Sequence, residues 1–158
     1  MVKLSYMKNL LILITAFLIG SAAFGQSEAV RTKNFNVKKN IAIEGYDPVS
    51  YFKGKPAEGK SNLKVTHRGV TYLFSTQANL DAFKSNPDKY EPAYGGWCAY
   101  AMGDSGEKVK IDPQTYKIVD GKLYLFYNFW LTNTLEGWNK DEKSLKEKAD
   151  KNWKRIVE

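Results

Sequence analysis

At 158 residues the chain is long enough for one compact domain built on one core. Its net charge is +7, or +5 without Lys3 and Lys8, and the remaining basic charge is spread over Lys38 and Lys39, then Lys53, Lys55, Lys60 and Lys64, then Lys140 through Arg155 interleaved with acids. That is a solvated surface with no basic stripe or recognition motif, which argues against nucleic acid as a partner and for small molecules, ions or envelope proteins. The composition holds a single cysteine, so a disulfide within the chain is excluded.

Lys3 and Lys8 precede an apolar run from Leu10 to Ile19, and the small residues Gly20, Ser21, Ala22, Ala23 and Gly25 follow. This is the layout of a signal peptide over residues 1–25. The run stops well short of the roughly 20 apolar residues that a membrane span needs, so no span is expected after cleavage. Cleavage after Gly25 would start the mature chain at Gln26, with cleavage after Ala23 as the alternative, and no cysteine stands there to accept a lipid. The protein is therefore expected to be exported, periplasmic or extracellular. Residues 26–40 are polar and aperiodic and read as a flexible lead-in to a domain over 41–157.

Asp47-Pro48 forces an extended or turn conformation early in that domain. Branched and aromatic residues then alternate on either side of Arg68-Gly69, the pattern of a β-hairpin with Val70, Tyr72 and Phe74 on one face. Ser75 or Thr76 can cap a helix reaching about Ser85, in which Leu80 and Phe83 share a face and Asn86-Pro87 ends the run. A second hairpin closes at Asp120-Gly121, after which the pattern turns helical. Asp141 can cap a last helix whose stripe is Leu145, Ala149, Trp153 and Ile156. The fold class read from these elements is α+β, a small single domain of two β-hairpins with packed helices.

Four segments stand in register: Gly45-Tyr46-Asp47-Pro48-Val49-Ser50-Tyr51-Phe52, Tyr72-Leu73-Phe74-Ser75, Phe83 through Tyr90, and Tyr94-Gly95-Gly96-Trp97-Cys98. Together with Lys117 through Tyr124 and the tail Lys148 through Trp153, they resemble the YHS domain family in its stand-alone exported form. The resemblance implies a small α+β module. Members attached to copper-transporting pumps resemble zinc-ribbon-type metal binders with paired cysteines. This chain departs from them: Ser50 stands where they carry the cysteine after Asp-Pro-Val, and Phe74 through Asn79 replaces their cysteine pair. A thiolate-rich zinc site needs about four ligands, and one Cys and one His cannot form it. The stand-alone branch includes selenoproteins whose selenocysteine matches Cys98, which implies a chemical role for that thiol.

Cys98 is thus the primary candidate, either a soft-metal ligand for an ion such as copper or a redox-active catalytic thiol, against the alternative of a packing residue. Gly95-Gly96 would let the backbone approach a ligand or take positive φ, placing the sulfur at the edge of an aromatic-lined pocket. His67, beside the first turn, and Met102, one helical turn after Cys98, complete the candidate metal ligands. Tyr46, Tyr72, Tyr94, Trp97 and Tyr100 are the candidate pocket residues, with ring packing in the core as their alternative role. Asp47 reads as the organiser of its own turn. No Ser-His-Asp set, phosphate loop or paired-carboxylate motif supports a hydrolase or a nucleotide site. The expected function is a binding module for a soft metal ion or thiophilic small ligand centred on Cys98, with a one-cysteine redox enzyme and a structural, partner-binding domain as alternatives.

Overall fold

The structure is a computed structural model that describes residues 28–158, so the signal-peptide assignment to residues 1–25 lies outside the described residues. A helix, α1, occupies residues 28–34, followed by strands β1 (Val37–Lys38) and β2 (Ile41–Ala42). The segment expected as a flexible lead-in therefore carries secondary structure over much of residues 28–40. Its anchor is Phe35, whose ring packs against Trp153 at 5.8 Å and under the Arg31 guanidinium at 4.3 Å. The contact with Trp153 is non-local, which is why a short, aperiodic stretch does not announce it.

Strands β3 (Lys60–His67) and β4 (Val70–Phe74) form the expected first hairpin. With β1 and β2 they make one sheet in the order β1-β2-β4-β3, in which β2 and β4 run parallel and the other pairs antiparallel. His67 pairs with Val70 across the turn, where Arg68 and Gly69 take φ of 45° and 82°. Val70, Tyr72 and Phe74 are fully buried on one face, as their alternation predicts. Helix α2 (Gln77–Ser85) lays Leu80 and Phe83 on that face, and its cap is Thr76, whose hydroxyl accepts from the Asn79 amide at 3.2 Å. Pro87 then opens the single turn α3 (Pro87–Tyr90).

Helix α4 (Ala99–Asp104) leads to the second hairpin, β5 (Asp112–Val119) and β6 (Lys122–Phe126), closed by Asp120-Gly121 as expected. A third, short hairpin then intervenes where the sequence reads as turning straight to helix: β7 (Asn128–Phe129) and β8 (Thr132–Asn133). Helices α5 (Thr134–Lys140) and α6 (Glu142–Val157) finish the chain. Asp141 sits at the start of α6, although its carboxylate makes no capping bond. The apolar stripe of α6 lies against α4 so closely that a Cβ on Gly103 would stand 2.4 Å from the Leu145 carbonyl oxygen. Two buried clusters result. One is enclosed by the four-stranded sheet and α2 and includes Cys98, Leu123 and Leu125. The other, around Trp138, gathers residues of α4, β6, α5 and α6. The fold is α+β with packed helices, as expected.

Candidate functional site

The first polar centre is Asp47, fully buried behind the Asp-Pro-Val turn. Its Oδ1 accepts from the amides of Val49 (2.9 Å) and Ser50 (3.3 Å). Its Oδ2 accepts from the Ser75 amide (2.9 Å), the Ser75 hydroxyl (2.7 Å) and Asn79 Nδ2 (2.6 Å). A buried carboxylate with five donors is satisfied without a metal or a substrate. Ser50, Ser75 and Asn79, which come from three separate stretches of chain, are tied together through this carboxylate. Asp47 is a structural hub that extends the turn role expected of it.

Cys98 precedes α4, and its surface exposure is 0%. Its amide donates to the Val109 carbonyl at 2.9 Å, while its Sγ lies 3.4 Å from both the Tyr127 amide and the Thr134 hydroxyl. The sulfur is therefore enclosed by β6 and the start of α5, and the expectation of a sulfur reachable at a pocket edge is corrected. The glycine pair beside it works as the sequence suggests in conformation but not in purpose. Gly95 and Gly96 take φ of 59° and 84°, and the space Gly95 leaves is filled by the rings of Phe35 and Trp153, each 2.8 Å from where a Cβ would stand. The pair opens no room beside the sulfur; Gly95, Phe35 and Trp153 instead face an open cleft shared with Glu91 and Tyr94.

Met102 is also fully buried, but in the Trp138 cluster, whereas Cys98 belongs to the sheet cluster. His67 lies at the end of β3 with its ring edge-on to Phe83 at 6.1 Å. The three candidate metal ligands Cys98, His67 and Met102 thus have separate surroundings, and no shared site forms. The candidate pocket residues divide similarly. Tyr46 meets Gln114 at 3.4 Å, Trp97 Nε1 donates to the Asn34 carbonyl at 2.6 Å, and the ring of Tyr100 lies 2.7 Å from where a Cβ on Gly137 would stand. Tyr72 and Tyr94 come to one region. Tyr72 donates to Glu91 Oε1 at 2.6 Å, Tyr94 donates to Asp150 Oδ1 at 2.8 Å, and Glu91, Tyr94 and Asp150 line an open cleft of about 300 Å³ beside α1 and α6. Burial drives the phenols of Tyr72 and Tyr94 well above their ordinary pKa, with Glu91 and Asp150 adding to it, so both stay protonated donors.

His67 joins this region from the other side. Among the described residues, ligand atoms of His67, Asp88 and Glu91 lie within 4.8 Å of one another. Three elements bring them together: the β3 end supplies the imidazole, the single turn α3 supplies Asp88, and the residue just beyond it supplies Glu91. His67 Nε2 is buried, has no hydrogen-bond partner and stands 3.9 Å from Asp88 Oδ1. Burial, aided by the nearby Arg68 and Arg31 guanidiniums and opposed by Glu91 and Asp88, lowers the His67 pKa and leaves the imidazole neutral at pH 7, with a lone pair available. Glu91 is buried and bound by Arg31, while Asp88 is exposed and approached by Arg68 at 3.5 Å. An imidazole nitrogen with two carboxylates is a donor set for borderline divalent ions, not for Cu(I). Asp88, Glu91 and Arg31 are site residues the sequence reading lacks; the three-residue spacing of Asp88 and Glu91 after Pro87 is the one signal for them.

Comparison with known proteins places the YHS domain on residues 48–94 of this chain. No curated protein and no solved structure matches it.

Proposed function

We propose that this chain, whose residues 48–94 match the YHS domain, is a binding module for a divalent transition-metal ion held by His67, Asp88 and Glu91. The observation that carries this reading is the orphaned His67 Nε2: a buried nitrogen with no partner costs stability unless it is kept for a ligand. His67 would supply the nitrogen and Asp88 and Glu91 the oxygens, and the bound ion would offer a Lewis-acid centre at the rim of the cleft. In the ion-free protein Arg31 and Arg68 balance the two carboxylates, so an ion competes with guanidinium for Glu91. The first 25 residues support export, which would put the module in an envelope or extracellular space. Cys98, fully enclosed, has no part in this donor set and serves packing.

Calorimetric titration with Zn²⁺, Ni²⁺, Cu²⁺ and Cu⁺ tests the assignment. A divalent ion should bind, His67→Ala should weaken it about tenfold or more, and Cys98→Ala should leave it unchanged. Retained affinity in the His67 variant with loss in the Cys98 variant would return the site to the thiol.

A further inference from the structure

We propose that the tip of the β7–β8 hairpin, Trp130 and Leu131, is an interfacial anchor that holds the protein to an anionic lipid surface. Among the described residues these are the large hydrophobic side chains left exposed, at 96% and 104% of full accessibility. They are adjacent, and they form the two-residue connection between Phe129 and its partner Thr132. Neither contributes to either buried cluster.

The backbone at this tip works against ordinary folding economy. Trp130 takes φ of 59°, the left-handed region that hairpin turns give to Gly, Asn or Asp. The other two hairpins place Gly69 and Gly121 at the second turn position, preceded by Arg68 and Asp120 at positive φ, whereas this turn holds no glycine at all. Here the turn is strained and the side chains it presents to water are a tryptophan and a leucine, so the feature disfavours both stability and solubility without any packing in return. Such a feature calls for an apolar phase outside the molecule.

The shape and charge of the tip identify that phase. Two residues on a convex hairpin present far less than the roughly 800 Å² per partner of a stable protein interface, whereas a bilayer deforms around a small wedge. Tryptophan is the side chain most at home in the headgroup region. The Lys110 ammonium sits 4.5 Å from the centre of the ring of Phe129, the residue just before the tip, where it can reach anionic headgroups once the tip inserts. Without residues 1–25, which hold Lys3 and Lys8, the net charge falls by two from +7 to +5, and it favours the same negatively charged surface. No described helix is long and apolar enough to cross a membrane, so the attachment would be peripheral.

The test uses the chain from Gln26 onward, which keeps every residue of both buried clusters and omits the apolar leader. Vesicles of phosphatidylcholine, with or without phosphatidylglycerol, are sedimented with the wild-type protein and with Trp130→Gly/Leu131→Asn. The wild type should pellet with the anionic vesicles, and brominated lipids should quench a fraction of its fluorescence that the variant lacks. The variant should partition about tenfold or more weakly while melting no lower, since glycine accepts the turn's φ. A wild type that ignores both vesicle types, or a variant that binds equally well through general basic charge, overturns the proposal. A concentration-dependent dimer that the variant abolishes, without vesicle binding, would assign the tip to a second copy of the chain and overturn it as well.

Discussion

A partly buried imidazole set edge-on to Phe83 resists protonation, and that resistance couples the site to folding. The unfolded chain takes up the proton at His67 near pH 6.5, whereas the folded protein takes it up only at lower pH. Stability from this residue is therefore complete above pH 6.5 and declines as pH falls from there through the folded value. The groups that face it have mixed signs: Arg68 and Arg31 deepen the effect, and Glu91 and Asp88 moderate it. Urea midpoints of the wild type should drop on that acid limb more than those of His67→Gln, and parallel curves would show that the ring is not the sensor. Cys98 obeys the same logic of enclosure. Its sulfur should react with iodoacetamide only as fast as the protein unfolds, and Cys98→Ala should cost about 1–2 kcal/mol in chemical denaturation, the penalty of a small cavity in a packed core. Rapid alkylation of the native protein would place the thiol at the surface.

At the level of elements, turn chemistry decides what could be read in advance. Asp120 and Gly121 take φ of 50° and 72°, the pair of positive values a tight hairpin needs, and nothing lies within 4 Å of where a Cβ on Gly121 would stand. Gly121→Val should therefore destabilise through backbone strain alone, by about 1 kcal/mol or more, seen as a lower melting temperature with an intact ligand titration. The hairpins at Gly69 and Gly121 were legible because their turns carry the residues that positive φ selects. The β7–β8 hairpin was not, since Trp130-Leu131 has no turn signature and its strands are two residues each. Helix α1 was hidden for a different reason: it is held by Arg31 and Phe35 reaching residues about 60 and 118 positions away, and local periodicity carries no trace of that. His67 could be singled out as the one histidine, but its partners could not. Asp88 and Glu91 become a site only when hairpin register sets the β3 end against α3, and Cys98 lost its expected role because β6 covers it, a non-local fact as well.

Arg31 joins these pieces across the whole molecule, because one guanidinium ties the N-terminal helix to the centre of the domain. It binds Glu91, donates from Nε to the Arg68 carbonyl at 3.2 Å and stacks on Phe35, so it closes α1 over the cleft while neutralising a carboxylate of the candidate metal site. Both sides of the Arg31–Glu91 pair are largely buried, at 14% and 8% side-chain exposure, and removing the cation leaves Glu91 with the Tyr72 hydroxyl as its side-chain donor and Lys122 as a nearby charge. Arg31→Met keeps the aliphatic packing on Phe35 and deletes the charge. It should lower stability by about 2 kcal/mol or more, because an unpaired buried carboxylate is costly. The same change should strengthen divalent-ion binding, by about tenfold if roughly 1.4 kcal/mol of competition is relieved, since the ion no longer displaces a guanidinium from Glu91. Denaturant curves and calorimetric titrations on one preparation read both effects. Opposite signs would mark Arg31 as the resident cation of the site. Loss of stability together with loss of ion affinity would instead mean that Arg31 positions Glu91 for its ligand, and the competition between guanidinium and metal would have to be abandoned.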